Sequence, residues 1–215
     1  DKEGIRSNSV YSLLVDDRGA VWVGHFQAGL DYSLYQNGLF RTYAYPPSFH
    51  SANLSIRSFI SRGQEKVIGS RDGLFYINEA TGTVKSFVKP VLTSDLILTI
   101  CFYEGEYYIG TYGGGMMVLN PETLSLKYFA QGGDGDAELF QKGHIFCVKP
   151  DTKGNLWIGT SQGLFSYNGQ SKQIKHFTSA NSQLPEGNVY EVSFDSTGKG
   201  WIATETGMCI YDPAS

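Results

Sequence analysis

The sequence predicts an all-β fold, a β-propeller of five tandem four-stranded blades with the last one incomplete. Three observations predict it: a unit that returns five times, a fixed order of turn residues between short apolar runs, and a composition suited to strands. Of the 215 residues 26 are glycine, aromatics make up 14% and charged residues only 18%. Glycines and aromatics in excess of charges suit tight turns and pleated surfaces rather than amphipathic helices. The net charge of −4 opposes nucleic-acid binding, which needs a basic stripe. No apolar run approaches the roughly 20 residues of a membrane-crossing helix, so no direct membrane contact is expected.

The recurring unit is centred on Val21-Trp22-Val23-Gly24, which returns as Leu156-Trp157-Ile158-Gly159 and Gly200-Trp201-Ile202-Ala203. Weaker copies are Lys66-Val67-Ile68-Gly69 and Tyr107-Tyr108-Ile109-Gly110. Anchors at 22, 67, 108, 157 and 201 are separated by 45, 41, 49 and 44 residues. Upstream lies a first strand, Val10-Tyr11-Ser12-Leu13-Leu14, matched by Ile145-Phe146-Cys147-Val148 and Val189-Tyr190-Glu191-Val192. It ends at Asp16, Asp151 and Asp195, each followed three residues later by Gly19, Gly154 and Gly198. A carboxylate that caps backbone N–H groups, then a glycine for positive φ, is a hairpin with a stated mechanism. In the second and third copies Ile56 and Ile97 lie one residue nearer the anchor, so that turn is shorter.

Downstream, each unit turns at Gly29, Gly73, Gly115, Gly163 or Gly207 into a third strand. A fourth strand follows in four units: Phe40-Arg41-Thr42-Tyr43, Val84-Lys85-Ser86-Phe87, Leu126-Lys127-Tyr128-Phe129 and Ile174-Lys175-His176-Phe177. Four strands in about 45 residues is one blade. The blades are placed at 8–52, 53–95, 96–143, 144–187 and, in part, 188–215, within a single propeller region 1–215. Trp22, Trp157 and Trp201 are expected to fill the space between blades. The fifth unit stops after its third strand, which leaves two expectations: a five-bladed ring closed imperfectly, or an open arc that self-associates through the open blade edge. Cys101, Cys147 and Cys209 sit in apolar runs without CxxC spacing and are read as small hydrophobes, with no metal and no cofactor expected.

The run Asp151-Thr152-Lys153-Gly154-Asn155-Leu156-Trp157-Ile158-Gly159-Thr160-Ser161-Gln162-Gly163-Leu164 resembles the two-component regulator propeller repeat. Residues Asn8 to Leu30 and Asn188 to Tyr211 match nearly as well, while the second and third copies lack the Trp and the Asp-turn-Gly. The resemblance implies the periplasmic sensor region of a hybrid two-component histidine kinase of Bacteroidetes type. Such sensor regions precede a further β-domain, a membrane helix and a kinase, and commonly detect glycan fragments. The 215 residues are then expected to be a piece of that sensor, non-catalytic in itself, with an oligosaccharide as its ligand.

A ligand is expected where the loops between strands two and three gather, because these keep one frame and vary in chemistry. They are His25-Phe26-Gln27, Ser70-Arg71-Asp72, Thr111-Tyr112-Gly113, Thr160-Ser161-Gln162 and Thr204-Glu205-Thr206. Phe26 and Tyr112 offer stacking faces, Arg71 a partner for a carboxylate or sulfate, and Gln162 and Glu205 hydrogen bonds to hydroxyls. Arg57 and Glu191, on first strands, are further candidates. Each competes with the reading that it is an ordinary solvated residue. Of the inter-blade loops, Tyr45 to His50 and Gln131 to Asp136 are least strand-like. Asp134, Asp136 and Glu138 lack EF-hand spacing, and a mobile acidic loop is expected there.

Enzyme readings find less support. His25, His50, His144 and His176 fall at different repeat positions, and no nucleophile-elbow or phosphate-loop motif is present. A sialidase Asp-box places Asp two residues before its Gly, whereas Asp16, Asp151 and Asp195 stand three before. The alternatives to a sensor are a protein-interaction scaffold and a propeller lyase or glycosidase.

Overall fold

The computed structural model describes residues 5, 7–33, 40–42, 55–129 and 134–212. Among the described residues nineteen strands form five antiparallel sheets, each in chain order, and one helix lies between the third and fourth sheets. The first sheet holds β1 (Val10–Val15), β2 (Val21–His25), β3 (Gly29–Ser33) and β4 (Phe40–Thr42). The second holds β5 (Ile56–Arg62), β6 (Glu65–Ser70), β7 (Gly73–Asn78) and β8 (Thr83–Phe87). The third is β9 (Ile97–Tyr103), β10 (Glu106–Thr111), β11 (Met116–Leu119) and β12 (Leu126–Tyr128). After the helix α1 (Asp134–Lys142) come β13 (Ile145–Pro150), β14 (Asn155–Thr160), β15 (Gly163–Asn168) and β16 (Ile174–Phe177). The fifth sheet has three strands, β17 (Val189–Phe194), β18 (Gly200–Thr204) and β19 (Gly207–Tyr211). The fold is a β-propeller of five blades, the last short of a strand.

Two compact units, residues 1–100 and 101–215, divide the chain, and the division falls inside β9. In the first, Trp22 (3% exposed) packs with Leu30 against Ile56, Phe59, Ile68 and Phe75 of the second blade. In the second, Trp157 (2% exposed) packs with Leu164 against Val189, Val192 and Ile202 of the fifth blade. Trp22 and Trp157 therefore fill inter-blade space, as expected. Trp201, at the same position of the fifth blade, departs from that expectation: it is 41% exposed, because no blade follows it among the described residues. Burying an indole removes about 150–250 Å² from water, a large contribution to the cohesion of these two seams.

The glycine that follows this strand position is set by close approach. A Cβ on Gly159 would lie 2.5 Å from Cys147 Sγ and 2.7 Å from the Val189 carbonyl oxygen. One on Gly69 would lie 2.5 Å from Ile97. The fifth blade carries Ala203 there, and Ala203 is partly exposed.

The Asp of the first turn caps it and also reaches the indole. Asp151 Oδ1 accepts the Lys153 and Asn155 amides, both at 2.8 Å, while Oδ2 accepts Trp157 Nε1 at 2.9 Å. Asp16 repeats this with the Arg18 and Ala20 amides and Trp22 Nε1 at 3.0, 2.9 and 3.0 Å. Asp195 does so more loosely, with Trp201 Nε1 at 3.5 Å. The turn glycines Gly19, Gly154 and Gly198 have φ of 75°, 81° and 85°. The indole bond is an addition to the capping role read from sequence.

The second and third blades make the same turn with two residues. Arg62 pairs with Glu65 across Gly63-Gln64, and Glu104-Gly105 carries positive φ at both positions, 46° and 83°. That is the primed-turn geometry whose twist suits a hairpin.

The acidic stretch after the third blade is a further correction. Asp134 to Asp136 open helix α1 rather than a mobile loop, while Gln131–Gly133 and the Tyr45–His50 loop lie outside the described residues. Leu139 and Phe140 of the helix are buried in the core of the third and fourth blades, where Phe140 meets Phe129 at 4.9 Å and Phe165 at 5.1 Å. Asp136 approaches His176 (3.4 Å), and Glu138 approaches Lys142 (3.9 Å). Cys101 and Cys147 are buried and unbridged, and burial pushes both thiols up to about 12.

Candidate functional site

The loops between strands two and three are held in one frame by a hydroxyl at the end of the second strand. Ser70 Oγ donates to the Gly73 carbonyl (3.1 Å), and Thr111, Thr160 and Thr204 make the matching bonds to Gly115, Gly163 and Gly207, each at 2.9 Å. In the first blade His25 replaces the hydroxyl, its Nε2 lying 3.0 Å from Asp31 Oδ2. Both side chains of that pair are almost wholly buried (0% and 2% exposed), so it is closed to a substrate.

A second set of bonds ties four of the loops to the entry of the first strand. The amides of Phe26, Arg71, Ser161 and Glu205 donate to the carbonyls of Ser9, Ser55, His144 and Asn188 at 2.9–3.2 Å. One residue into the first strand of those four blades the pairing slips, between Val10 and Ser12, Ile56 and Ser58, Ile145 and Cys147, and Val189 and Glu191. Tyr11, Arg57, Phe146 and Tyr190 are therefore bulge residues. A bulge re-aims its side chain out of the alternating pattern of the strand. Here the bulge side chains come against the loop residues, and two clusters result.

In the first unit Tyr11 lies 5.3 Å from Phe26, centroid to centroid, and the Arg57 guanidinium carbon sits 4.4 Å over the Tyr11 ring. In the second unit the contacts run further. Tyr112 stacks on His144 at 4.0 Å and 18°, His144 lies 6.1 Å from Phe146, and Phe146 meets Tyr190 edge-on at 5.1 Å. Asn188 continues the row, its side-chain amide donating to the Tyr190 hydroxyl (3.1 Å) and its backbone N–H to Glu205 Oε2 (3.3 Å). Tyr112 and Tyr190 are about half exposed, so ring faces and polar groups are presented to solvent together.

The residues singled out from sequence divide accordingly. Phe26 and Arg57 fall in the first cluster, and Tyr112 and Glu205 in the second. Arg71 is exposed and sits one residue beyond Ser70, which pairs with Ile56, the residue before Arg57. Gln162 lies apart, in a shallow cleft of about 280 Å³ with Ser161, Thr178 and Glu186. Glu191 is turned to Lys149 at 3.4 Å. Tyr11, His144, Phe146, Asn188 and Tyr190 were not foreseen as site residues. For Tyr11, Phe146 and Tyr190 the signal is an aromatic residue directly after the opening Val or Ile of a first strand; His144 and Asn188 stand directly before that opening residue.

Elsewhere in the second unit a cavity of about 360 Å³ opens beside β19, lined by Trp157, Leu164, Phe177, Cys209 and Tyr211 among others. It is the apolar seam between the fourth and fifth blades, at the side where the fifth sheet has no further strand. Among the described residues no group of three or more His, Cys, Asp or Glu is placed to hold a metal ion.

Comparison with known proteins agrees with this architecture. The extracellular domain of a protein described as a hybrid two-component system of B. thetaiotaomicron superposes with a TM-score of 0.74 at 25% identity, over 99% of this chain and 28% of its own. A second extracellular domain from that organism gives 0.65 at 16% identity, over 100% and 33%. PorZ, a surface component of the type-IX secretion system of Porphyromonas gingivalis, gives 0.73 at 16%, over 94% and 32%. The latter two show the fold alone, and the chain spans about a third or less of each of these proteins. No curated protein matches the sequence. The family model for the two-component regulator propeller matches residues 4–27 and 140–162, at the Asp-turn-Trp units of the first and fourth blades. The chain is a β-propeller in which two stretches are similar to the two-component regulator propeller repeat.

Proposed function

We propose that this chain is the ligand-binding part of an extracellular, periplasmic sensor of the two-component type, and that it takes up glycan fragments without acting on them. The observation that carries the reading is the row Tyr112–His144–Phe146–Tyr190, a set of ring faces fixed by strand bulges and flanked by Asn188 and Glu205. Sugars present apolar C–H faces beside hydroxyls, and flat rings edged by amide and carboxylate groups match both. The similarity to an extracellular domain of a two-component system supports the sensor context. Among the described residues no helix is long and apolar enough to cross a membrane.

The test is a thermal-shift and titration series with neutral oligosaccharides on the folded chain. A ligand present at about 100 times its Kd adds about 2.7 kcal/mol to stability. Tyr190→Ala and Tyr112→Ala should each weaken binding roughly 2- to 12-fold, the worth of one aromatic contact. Silence across neutral and acidic sugars would instead favour the interaction-scaffold reading, and hydrolysis of a chromogenic glycoside would overturn both.

A further inference from the structure

The two clusters differ in charge, and the difference carries a ligand class. Building on the glycan-binding reading above, we propose that Arg57 and Arg71, with Tyr11 and Phe26, form a subsite for an anionic substituent, carboxylate or sulfate, borne on a sugar ring.

Four arginines of the first unit have described side chains. Arg18 pairs with Asp16 at 3.1 Å, and Arg62 with Glu65 at 3.9 Å, both at the end of the blades where the first turns lie. Arg57 and Arg71 stand at the opposite end, and neither has a carboxylate partner among the described residues. Arg57 is the more constrained. It is half-buried, its guanidinium carbon lies 4.4 Å over the Tyr11 ring, and its Nε is shielded from solvent with no hydrogen-bond partner. A partly desolvated cation without a counter-charge is costly to keep. The first, fourth and fifth blades place an aromatic ring at that bulge position instead, as Tyr11, Phe146 and Tyr190.

Geometry explains why the group should be anionic and planar or tetrahedral in its oxygens. A guanidinium resting on a ring face keeps its edge N–H groups in a fixed fork, which fits two oxygens of a carboxylate or sulfate. Arg71 follows the pair Ile56–Ser70 and lies opposite Ser55, two residues in register from Arg57, and adds a second positive charge at the same sheet end. Phe26, 5.3 Å from Tyr11, supplies the apolar face against which the sugar carrying that anion can lie. Asp72 is the neighbouring carboxylate in sequence; its amide is tied to Ser70 Oγ at 2.9 Å. The second unit presents Glu205 where Arg71 stands in the first, so an anion is favoured on one cluster and opposed on the other.

Calorimetric titration of the folded chain with an oligogalacturonide, a sulfated chondroitin disaccharide, cellotetraose and inorganic sulfate tests the proposal. At least one acidic sugar should bind, and its affinity should fall as salt is raised. Arg57→Gln should weaken that binding about tenfold or more and Arg71→Gln by less, with unchanged circular dichroism. Arg57→Lys should not restore it, because a lysine keeps the charge without the fork. The uronate and sulfate arms decide which anion is taken. Cellotetraose binding without either acidic sugar would overturn the subsite and leave the glycan reading standing. Acidic sugars bound equally by wild type and both glutamine variants would also overturn it. Binding of no sugar by the folded chain would remove the subsite and the reading together. Should Arg57→Gln fail to fold, unchanged acidic-sugar affinity in Arg71→Gln and across the salt series would overturn the proposal.

Discussion

The first, fourth and fifth blades fix their opening turn with an Asp–Trp tie; the second and third do without it. In the tied blades one carboxylate holds two turn amides and an indole N–H, so turn shape and tryptophan orientation are set by the same side chain. In the third blade a two-residue turn, Glu104-Gly105, does the first job and leaves the second to packing. There Tyr108 meets Tyr103 at 5.6 Å and Phe129 at 6.0 Å. Tyr103 in turn donates its hydroxyl to the Gly154 carbonyl (2.7 Å) and accepts from the Gly169 amide (2.8 Å), gripping two turns of the fourth blade. The Asp–Trp tie is thus a local device laid on a frame that stands without it. Both stretches that the family model matches, in the first and fourth blades, carry the tie. The fifth blade has the weaker tie, 3.5 Å, and Ala203 where the others have glycine.

The strongest way to break this comparison is to remove tryptophans that differ in what covers them. Trp157 stacks on Phe177 at 5.7 Å and touches Phe194 and Tyr211, whereas Trp201 is 41% exposed. Trp157→Ala should cost about 3–5 kcal/mol, the usual range for emptying a buried aromatic site. Trp201→Ala should cost about 1 kcal/mol or less. Urea unfolding of both variants is the measurement. Equal losses would mean that the indoles act through their Asp partners and not through the inter-blade seam.

The tie itself comes next. Asp151→Ala leaves two amides and the Trp157 indole without their acceptor, and should cost about 1–3 kcal/mol. Its pH dependence has a definite sign. Burial raises the Asp151 carboxyl, but bonds from the Trp157 indole, the Asn155 side chain and the turn amides outweigh it, so the group titrates below its ordinary 3.8. Asp16 is lowered in the same way, by Trp22, Ala20 and Arg18 against burial. A carboxyl with a depressed folded value stabilises fully above its unfolded value, and that contribution is lost as pH falls through the folded one. Stability should therefore be flat from about pH 7 to 5 with respect to these groups and decline below about pH 4. Asp151→Asn should shallow that decline. An unchanged acid limb in Asp151→Asn would show that the tie is not the source of acid sensitivity.

Much of this frame was legible because it is periodic. Trp22, Trp157 and Trp201, the Asp residues six before them and the turn glycines recur at one spacing, and each has a local physical reason to do so. What escaped depends on pairing across strands or on distant packing. The bulges that aim Tyr11, Phe146 and Tyr190 are slips of register between two strands, and the strand alternation on either side of them reads as ordinary. Helix α1 was hidden by Gly132, Gly133 and Gly135, and by a length of nine residues that shows hardly two turns of periodicity. It is held by Leu139 and Phe140 in the core more than by helix propensity. The His25–Asp31 pair escaped because it replaces a hydroxyl–carbonyl bond that only the folded loop reveals. For the candidate site, the common frame of the five loops could be read, whereas their meeting with bulge residues from the first strands could not.

The smallest expected effect sharpens the comparison from the other side, in a blade that lacks the tie. Gly105 has φ of 83°, and a Cβ there would have nothing within 4 Å. Any loss in Gly105→Ala is consequently conformational, about 1–2 kcal/mol for holding an L-residue left-handed, with no steric component. Gly154 also has open space around it and φ of 81°, but its turn is additionally pinned by Asp151. The two alanine variants should lose similar amounts in the wild-type background. Combined with Asp151→Ala, Gly154→Ala should become non-additive while Gly105→Ala stays additive, because only the former shares a turn with the carboxylate. Unfolding free energies of the two double variants decide it. Additivity in both would mean that the tie orients the indole without shaping the turn, and that the tied and untied blades close their hairpins by one and the same mechanism.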